Sequence, residues 1–403
     1  MSFFLLLYPL FFFFLFVIIR SKKYFPCYVV TLGLYFTSGI GCVIFYMIQD
    51  YKSPIIPDAI LFHIIMLFLL IIPIKYYDRF AYEKIELIPE KILKPFVYII
   101  IVSSIYSIYK SFDRIDFNRI LTDVVNIRNE IGEEKITESG IIGYIVYYAR
   151  IFWSLALVLM FYYIIYFPKK KIIIFLLFIS SLSQVIESFT IAGRDIVLKY
   201  IFIFFILILL FRFELPQKTK RYIYKLLIII GIFFISFFSL ISILRWDMND
   251  YAETSTIEGL ISYLGQPFLY FSEYFEHFSS TGATGGNIHF PLFSFSENTV
   301  NRLNTGEYIQ VNMKLNTFST SIGSWIFEVG ALAASLITVI HHFLMIGLKR
   351  KKKTIFTIIY VIWVFEFIFF SLFYYIYTIN LSFLGSIFIV KILEIIYFLL
   401  KNK

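Results

Sequence analysis

Four basic residues stand nearly alone in surroundings that are otherwise apolar or acidic: Arg194, Arg245, Arg302 and Lys314. Arg194 lies in the short turn Ala192-Gly193-Arg194-Asp195 between two apolar runs. Gly193 permits the chain to reverse there, and Arg194 then projects at the depth of lipid headgroups. A guanidinium at that depth suits a phosphate or pyrophosphate, which it holds by paired hydrogen bonds. The plainer alternative is an interfacial arginine paired with Asp195 or Glu187. Arg245 opens a polar segment of about seventy residues with aromatics spread through it, and Arg302 and Lys314 lie near its end. Each alone reads as a salt-bridge partner. Together with Arg194 they could converge on one anionic group.

Proton transfer needs other residue types. His277, His289, Glu273 and Glu276 lie in the same 245–317 segment, and His or Glu can act as a general base when its pKa is near working pH. His289 follows Gly-Gly-Asn and precedes Phe290-Pro291, a stiff, turn-rich setting that can aim a side chain. The competing reading makes all four solvated loop residues. Further on, Asn316-Thr317-Phe318 is followed by Ser-Thr-Ser-Ile-Gly, and then by Glu328-Val329-Gly330 at the head of an apolar run. An ionisable group at that depth is costly and points to function. The other charges within apolar runs are Arg150, Glu187, Glu366 and Lys391. Lys391 and Glu394 are spaced to pair along one helix; Glu366 needs a partner, for which Arg150 is a candidate. His341 and His342 read as structural. The aromatic band Tyr263, Phe268, Tyr270, Phe271, Tyr274, Phe275 and Phe278 could stack on sugars, but most of it reads as a helix lying in the membrane interface. Cys27 and Cys42 share one apolar run and read as small apolar residues. No metal-ligand cluster, phosphate loop, nucleophile elbow or dinucleotide motif is present, so no metal and no cofactor is expected.

The elements that position these residues follow from composition. Of 403 residues 60% are hydrophobic, 50 are Phe, and the mean hydropathy is +0.81. A soluble domain cannot bury so much apolar surface. Runs of ~20 apolar residues match a bilayer core of about 30 Å. The expected fold is an all-α, polytopic bundle forming a single membrane domain over 1–403. Eleven spans are expected near 3–19, 27–48, 58–75, 95–112, 141–167, 171–190, 196–212, 222–244, 318–347, 354–378 and 381–400. The run 3–19 has its basic residues after it rather than before it, which favours an anchor over a signal peptide. Alternate connectors hold 23 Lys and Arg, whereas the remaining, far longer ones hold 9. The positive-inside rule puts the basic set in the cytoplasm. The N-terminus is then outside, the C-terminus inside and the 245–317 loop external. Confinement of the net charge of +9 to topology-setting connectors argues against nucleic acid as a partner. The 113–140 connector spaces Ile120, Leu121, Val124, Ile127 and Ile131 as one helical face, which reads as an amphipathic surface helix or as a solvated loop.

Three of these features together resemble the O-antigen polymerase (Wzy) family of oligosaccharide repeat-unit polymerases. They are the Gly193-Arg194 turn before a span, the outer loop that opens with Arg245 and runs through YLGQPFLYFSEYFEHF and TGATGGNIHFPLFS, and the Asn316-Thr317-Phe318 to Glu328-Val329-Gly330 stretch. The resemblance covers roughly residues 190–335. It implies a glycosyltransferase of the bacterial cytoplasmic membrane that joins undecaprenyl-pyrophosphate-linked oligosaccharides on the outer face, similar in plan to membrane glycosyltransferases using lipid-linked sugars. It implies that Arg194 and Arg245 contact the donor pyrophosphate; Arg302, Lys314 and Asn316 are further candidate binding residues. His289, Glu273 and Glu328 are the candidates for the base. Expected partners are the lipid-linked oligosaccharides, the bilayer, and flippase and chain-length regulator proteins. The O-antigen ligases are a more distant likeness: they carry a His in the corresponding outer-loop region, and Asn316 stands at the helix entry here. A flippase or transporter of lipid-linked sugars, or a non-catalytic assembly protein, are the rival readings. The single large loop and the lack of an internal repeat weigh against a flippase.

Overall fold

A computed structural model describes residues 3–20, 26–48, 55–112, 115, 152–190, 195–247, 256–280, 282, 319–373 and 381–401. Among the described residues every regular element is helical. In chain order they are α1 (Leu7–Arg20), α2 (Pro26–Ile48), α3 (Pro57–Ile71), α4 (Glu90–Phe112), α5 (Trp153–Tyr166), α6 (Lys171–Ser181), α7 (Ser183–Thr190) and α8 (Asp195–Leu210). They continue with α9 (Gln217–Asp247), α10 (Thr256–Leu269), α11 (Phe271–Phe278), α12 (Thr320–Gly347), α13 (Ile355–Ser371) and α14 (Leu381–Lys401). Short 3-10 turns precede α1 and follow α3 and α12. Five described stretches are long and apolar enough to cross a membrane: Pro26–Ile48, Pro57–Ala81, Glu90–Phe112, Lys171–Phe189 and Thr320–Arg350. Phe3–Ile19, Trp153–Tyr166, Ile196–Leu210 and Ile355–Ser371 are shorter apolar helices. Along α12, Leu332, Leu336, Val339, Ile340 and Phe343 are all exposed. This stripe at helical spacing is stable against lipid and not against water.

The chain forms two compact units. The first comprises Met1–Arg79, Ile257–Lys351 and Val364–Leu384. Here α1 packs on α2, and α11 lies between α3 and α12. The α2 N-terminus is closed by a buried carboxylate: Cys27 and Tyr28 donate their backbone N–H to Asp78 at 2.7 and 3.1 Å. An anion at that end satisfies orphan donors and complements the helix dipole. Ser38 donates to the Leu264 carbonyl, fixing α10 against α2. Tyr8, Phe12, Tyr35 and Phe268 form the aromatic core where these helices meet. Cys27 and Cys42 are buried free thiols.

The second unit comprises Phe80–Thr256, Lys352–Trp363 and Gly385–Lys403. Its centre is α5, in which every residue from Trp153 to Tyr163 is buried; a helix apolar all round belongs inside a bundle. At one end the irregular stretch around 83–89 is held by a polar clasp. Lys353 Nζ meets Glu214 at 2.7 Å and donates also to the carbonyls of Glu83 and Leu210 at 2.9 and 3.1 Å. Glu214 accepts further bonds from Ile85 N–H at 2.5 Å and Tyr166 OH at 2.9 Å. Glu86 N–H donates to the Lys353 carbonyl at 2.8 Å, and Tyr397 OH to the Glu86 carboxylate at 3.0 Å. Burial pulls the Lys353 ammonium below its ordinary pKa, and the Glu214 carboxylate pushes it back up. Both side chains are almost wholly buried, at 1% and 6% exposure, so removing one charge strands the other. Lys353→Met is expected to destabilise the protein by about 3 kcal/mol, and Lys353→Met with Glu214→Leu to recover most of that. Thermal unfolding in detergent checks this; equal losses in the single and double variants would contradict it.

Candidate functional site

The first unit brings two of the sequence candidates onto packed elements. Glu273 sits on α11 and Glu328 on α12, and both are buried, at 7% and 0% exposure. The two helices interlock through aromatic side chains: Phe278 and Phe327 meet edge to face at 4.9 Å, and Tyr274 and Phe327 at 6.0 Å. The backbone locks as well. Gly282, at φ +68°, lies so close to Glu328 that a Cβ there would stand 2.5 Å from the Glu328 carbonyl oxygen. Gly330, at φ +81°, breaks the helical path of α12, and Ala331 N–H just beyond the break donates to the Ser279 carbonyl at 2.8 Å. The part of α12 before the break, residues 320–329, is about 15 Å long at 1.5 Å per residue. Non-helical backbone at membrane depth is tolerated only where protein or a water-lined cavity satisfies it; here the 278–282 turn does so. Glu328 thus ends a half-helix at an irregular junction. At the turn between α10 and α11, burial raises the Tyr270 phenol above its ordinary pKa and the Glu273 carboxylate adds to that rise.

A second polar group, invisible as such in the sequence, anchors the start of α12. His63 on α3 is wholly buried. Its Nδ1 is hydrogen-bonded to Tyr8 OH at 2.8 Å and its Nε2 to Thr320 Oγ1 at 3.0 Å. Phe271 stacks flat on the imidazole at 3.7 Å. Thr320 has φ +67°, a left-handed conformation that a β-branched residue rarely adopts and that costs about 1–3 kcal/mol. It is held there from both sides. Ser319 and Thr320 donate their N–H groups to the Phe373 carbonyl at 3.2 and 3.0 Å, and Ser321 pairs with Ser371. A lone imidazole within the third apolar run and the Ser-Thr-Ser cluster were the only sequence signals for this anchor. Thr320→Val keeps the shape and the strain but removes the bond to His63, and is expected to cost about 1–3 kcal/mol. Thr320→Ser keeps the hydroxyl and is expected to melt close to the native protein; a Ser variant as unstable as Val would remove the role given to the hydroxyl.

The aromatic band differs from expectation. Phe268, Tyr270, Phe271, Tyr274 and Phe278 are buried, not spread along an interface, because α10 and α11 insert between other helices. Hydropathy is alike in both settings, so the sequence does not distinguish them. Phe275 and Tyr263 are half-buried, and Glu276 and His277 are exposed on α11. His341 lies between Trp325 and Phe367 at ring distances of 5.1 and 5.0 Å and bonds the Ile337 carbonyl through Nδ1 at 2.9 Å. His342 bonds the Leu69 carbonyl. Lys391 and Glu394 pair along α14 at 2.5 Å. Glu366 is buried in α13. Arg245 falls in the last turn of α9, and α9 runs beyond the expected 222–244. His289, Arg194, Arg302, Lys314 and Asn316 lie outside the described residues, as do Arg150 and nearly all of 113–140. Among the described residues no three His, Cys, Asp or Glu side chains group as metal ligands do.

Chemically the junction offers buried carboxylate where helical backbone is interrupted. Such groups can accept a proton from a hydroxyl held beside them. A scan against protein-family models and searches of curated proteins and of solved structures return no match to this chain.

Proposed function

We propose that this chain is a polysaccharide polymerase of the bacterial cytoplasmic membrane, joining undecaprenyl-pyrophosphate-linked oligosaccharide units on its outer face. The observation that carries the reading is the buried Glu328 at the broken start of α12, interlocked with the helix that carries Glu273. In the proposed topology this junction lies towards the outer side, since the basic connectors are cytoplasmic. The resemblance of the 190–335 stretch to the Wzy family supplies the reaction class.

In that reaction a sugar hydroxyl of the acceptor attacks the anomeric carbon of the growing chain. A new C–O bond forms, the bond to the lipid pyrophosphate breaks, and the electron pair leaves on the pyrophosphate oxygen. The hydroxyl proton passes to a base, for which the Glu328 carboxylate is the preferred candidate, with the Glu273 carboxylate and the His289 imidazole as alternatives. Arg194 and Arg245 take the charge that develops on the leaving group, and Arg302, Lys314 and Asn316 help hold the two lipid-linked substrates together.

The test is glycan length in a strain lacking this protein, complemented at matched membrane levels. The deletion strain is expected to make single-repeat glycans, and the native chain to restore a ladder that Arg194→Ala and Arg245→Ala do not. Complete loss of attached glycan on deletion would favour a ligase or flippase. A full ladder from both arginine variants would reduce those side chains to headgroup anchors.

A further inference from the structure

We propose that one end of the first unit is a docking site for the headgroup of an anionic phospholipid, built by Lys75, Lys349 and Arg350 around Tyr76. The inference goes beyond the proposed reaction and needs only that the chain be embedded in a membrane.

The site lies where two membrane-length stretches end together. Pro57–Ala81 and Thr320–Arg350 are each long and apolar enough to cross a bilayer, and α3 packs on α12. The ends of such stretches fall at headgroup depth. Here they are fastened by three bonds: His342 Nδ1 to the Leu69 carbonyl at 2.6 Å, Tyr77 OH to the Met345 carbonyl at 2.7 Å, and Arg79 to the Lys351 carbonyl. This frame brings lysines from distant parts of the sequence onto one ring. Lys75 Nζ stands 5.0 Å from the centre of the Tyr76 ring, and Lys349 Nζ stands 4.1 Å from it. The two ammoniums are therefore within about 9 Å of each other, a separation at which salt screens their repulsion only in part. Among the described residues no other ring is shared by two cations.

These charges are not neutralised within the chain. Among the described residues no salt bridge joins Lys75, Lys349 or Arg350 to a carboxylate. Asp78, the carboxylate closest in sequence to Tyr76, is buried and occupied by the N-terminus of α2. Lys349 and Arg350 are exposed, and Lys75 is half-buried. The aromatic face covers one side of each ammonium and leaves N–H donors pointing away from the ring. A topology signal needs basic residues on a connector but no convergence of them. A phosphodiester carries two charged oxygens and can accept from both ammoniums at once. Basic clusters just beyond membrane helices attract anionic lipid. Lipid, rather than a soluble phosphate, also fits what adjoins the site. Leu336, Ile340, Phe343 and Leu344 are exposed on α12, and Arg350, two turns beyond Phe343, continues their register. The face of α12 that acyl chains cover thus ends on a guanidinium.

The test uses the full chain in nanodiscs of phosphatidylcholine with or without phosphatidylglycerol. Retained lipid is counted by native mass spectrometry, and the Tm is read in parallel. The native chain is expected to retain phosphatidylglycerol over phosphatidylcholine and to melt higher in its presence. Lys75→Gln with Lys349→Gln is expected to weaken that binding by about tenfold to thirtyfold. Its Tm in phosphatidylcholine alone should equal or exceed the native value, because a repulsion is relieved; a merely structural pair would lower it. Lys218→Gln with Arg221→Gln removes two exposed charges from the second unit and should bind as the native chain does. Tyr76→Leu keeps every charge and removes the ring, so it should bind more weakly, whereas Tyr76→Phe should bind normally. Equal losses from the two double variants, or native binding by Tyr76→Leu, would reduce the site to diffuse charge and overturn the proposal. No preference for phosphatidylglycerol in the native chain would do the same, as would inorganic phosphate raising the Tm as far as the lipid does.

Discussion

On the polymerase function proposed above, with Glu328 as its base, Glu328→Gln is expected to lower polymerisation by about 100-fold or more while leaving the protein folded, the loss typical for removal of a general base. Glutamine matches glutamate in shape, so the fully buried site keeps its packing, including the Phe327 contacts with Tyr274 and Phe278. What it loses is the ability of a carboxylate to accept a proton, the role proposed for Glu328. Glu273→Gln separates the two carboxylates. If Glu328 is the base, Glu273→Gln should retain a glycan ladder that Glu328→Gln lacks. The measurement is ladder length against membrane level for each variant. Native ladders from Glu328→Gln would remove Glu328 from the chemistry and leave it a structural carboxylate.

Gly282→Ala is expected to disrupt the same junction from the opposite side. Alanine at φ +68° is strained in itself by about 1–2 kcal/mol. Its Cβ would also meet the backbone of Glu328 and Val329 at 2.5 to 2.6 Å, and neither backbone atom can swing away as a side chain can. Adding the cost of an overpacked contact gives a total of about 4 kcal/mol. A protein of ordinary stability, ~5–15 kcal/mol, survives that only in part. Lowered Tm and lost membrane accumulation are the expected results. Gly330→Ala tests the partner position, where the backbone at φ +81° and ψ 170° is essentially confined to glycine and a Cβ would lie 3.2 Å from the Ser279 carbonyl oxygen, so it too should lower the Tm. A native Tm in both variants would remove the role given to this backbone lock.

Long apolar helices were legible because length and hydropathy are local. The expected 27–48, 58–75 and 381–400 appear as Pro26–Ile48, Pro57–Ile71 with its 3-10 extension, and Leu381–Lys401. The α12 break was not legible. Glu-Val-Gly inside an apolar run reads as continuous helix, and the break at Gly330 is held by the carbonyl of Ser279, which accepts from Ala331 N–H. The strained Thr320 was hidden for the same reason, since its conformation is fixed by His63 and by the Phe373 carbonyl. Lys353 shows the limit from another direction. It ends the run Lys349-Arg350-Lys351-Lys352-Lys353, which composition reads as a topology signal. Four of these side chains fit that reading by exposure, whereas the fifth turns inward to a single carboxylate.

That inward lysine imposes an order on synthesis. Glu214 and Lys353 are 139 residues apart. At roughly 5–20 residues per second, Glu214 has left the ribosome on the order of ten seconds before its partner is made. Through that interval Ile85 and Tyr166 are already present, but the carboxylate has no ammonium to neutralise it and keeps its water. The second unit therefore stays open at this edge while α9 to α12 are being synthesised, and closes only when the last residue of the basic run arrives.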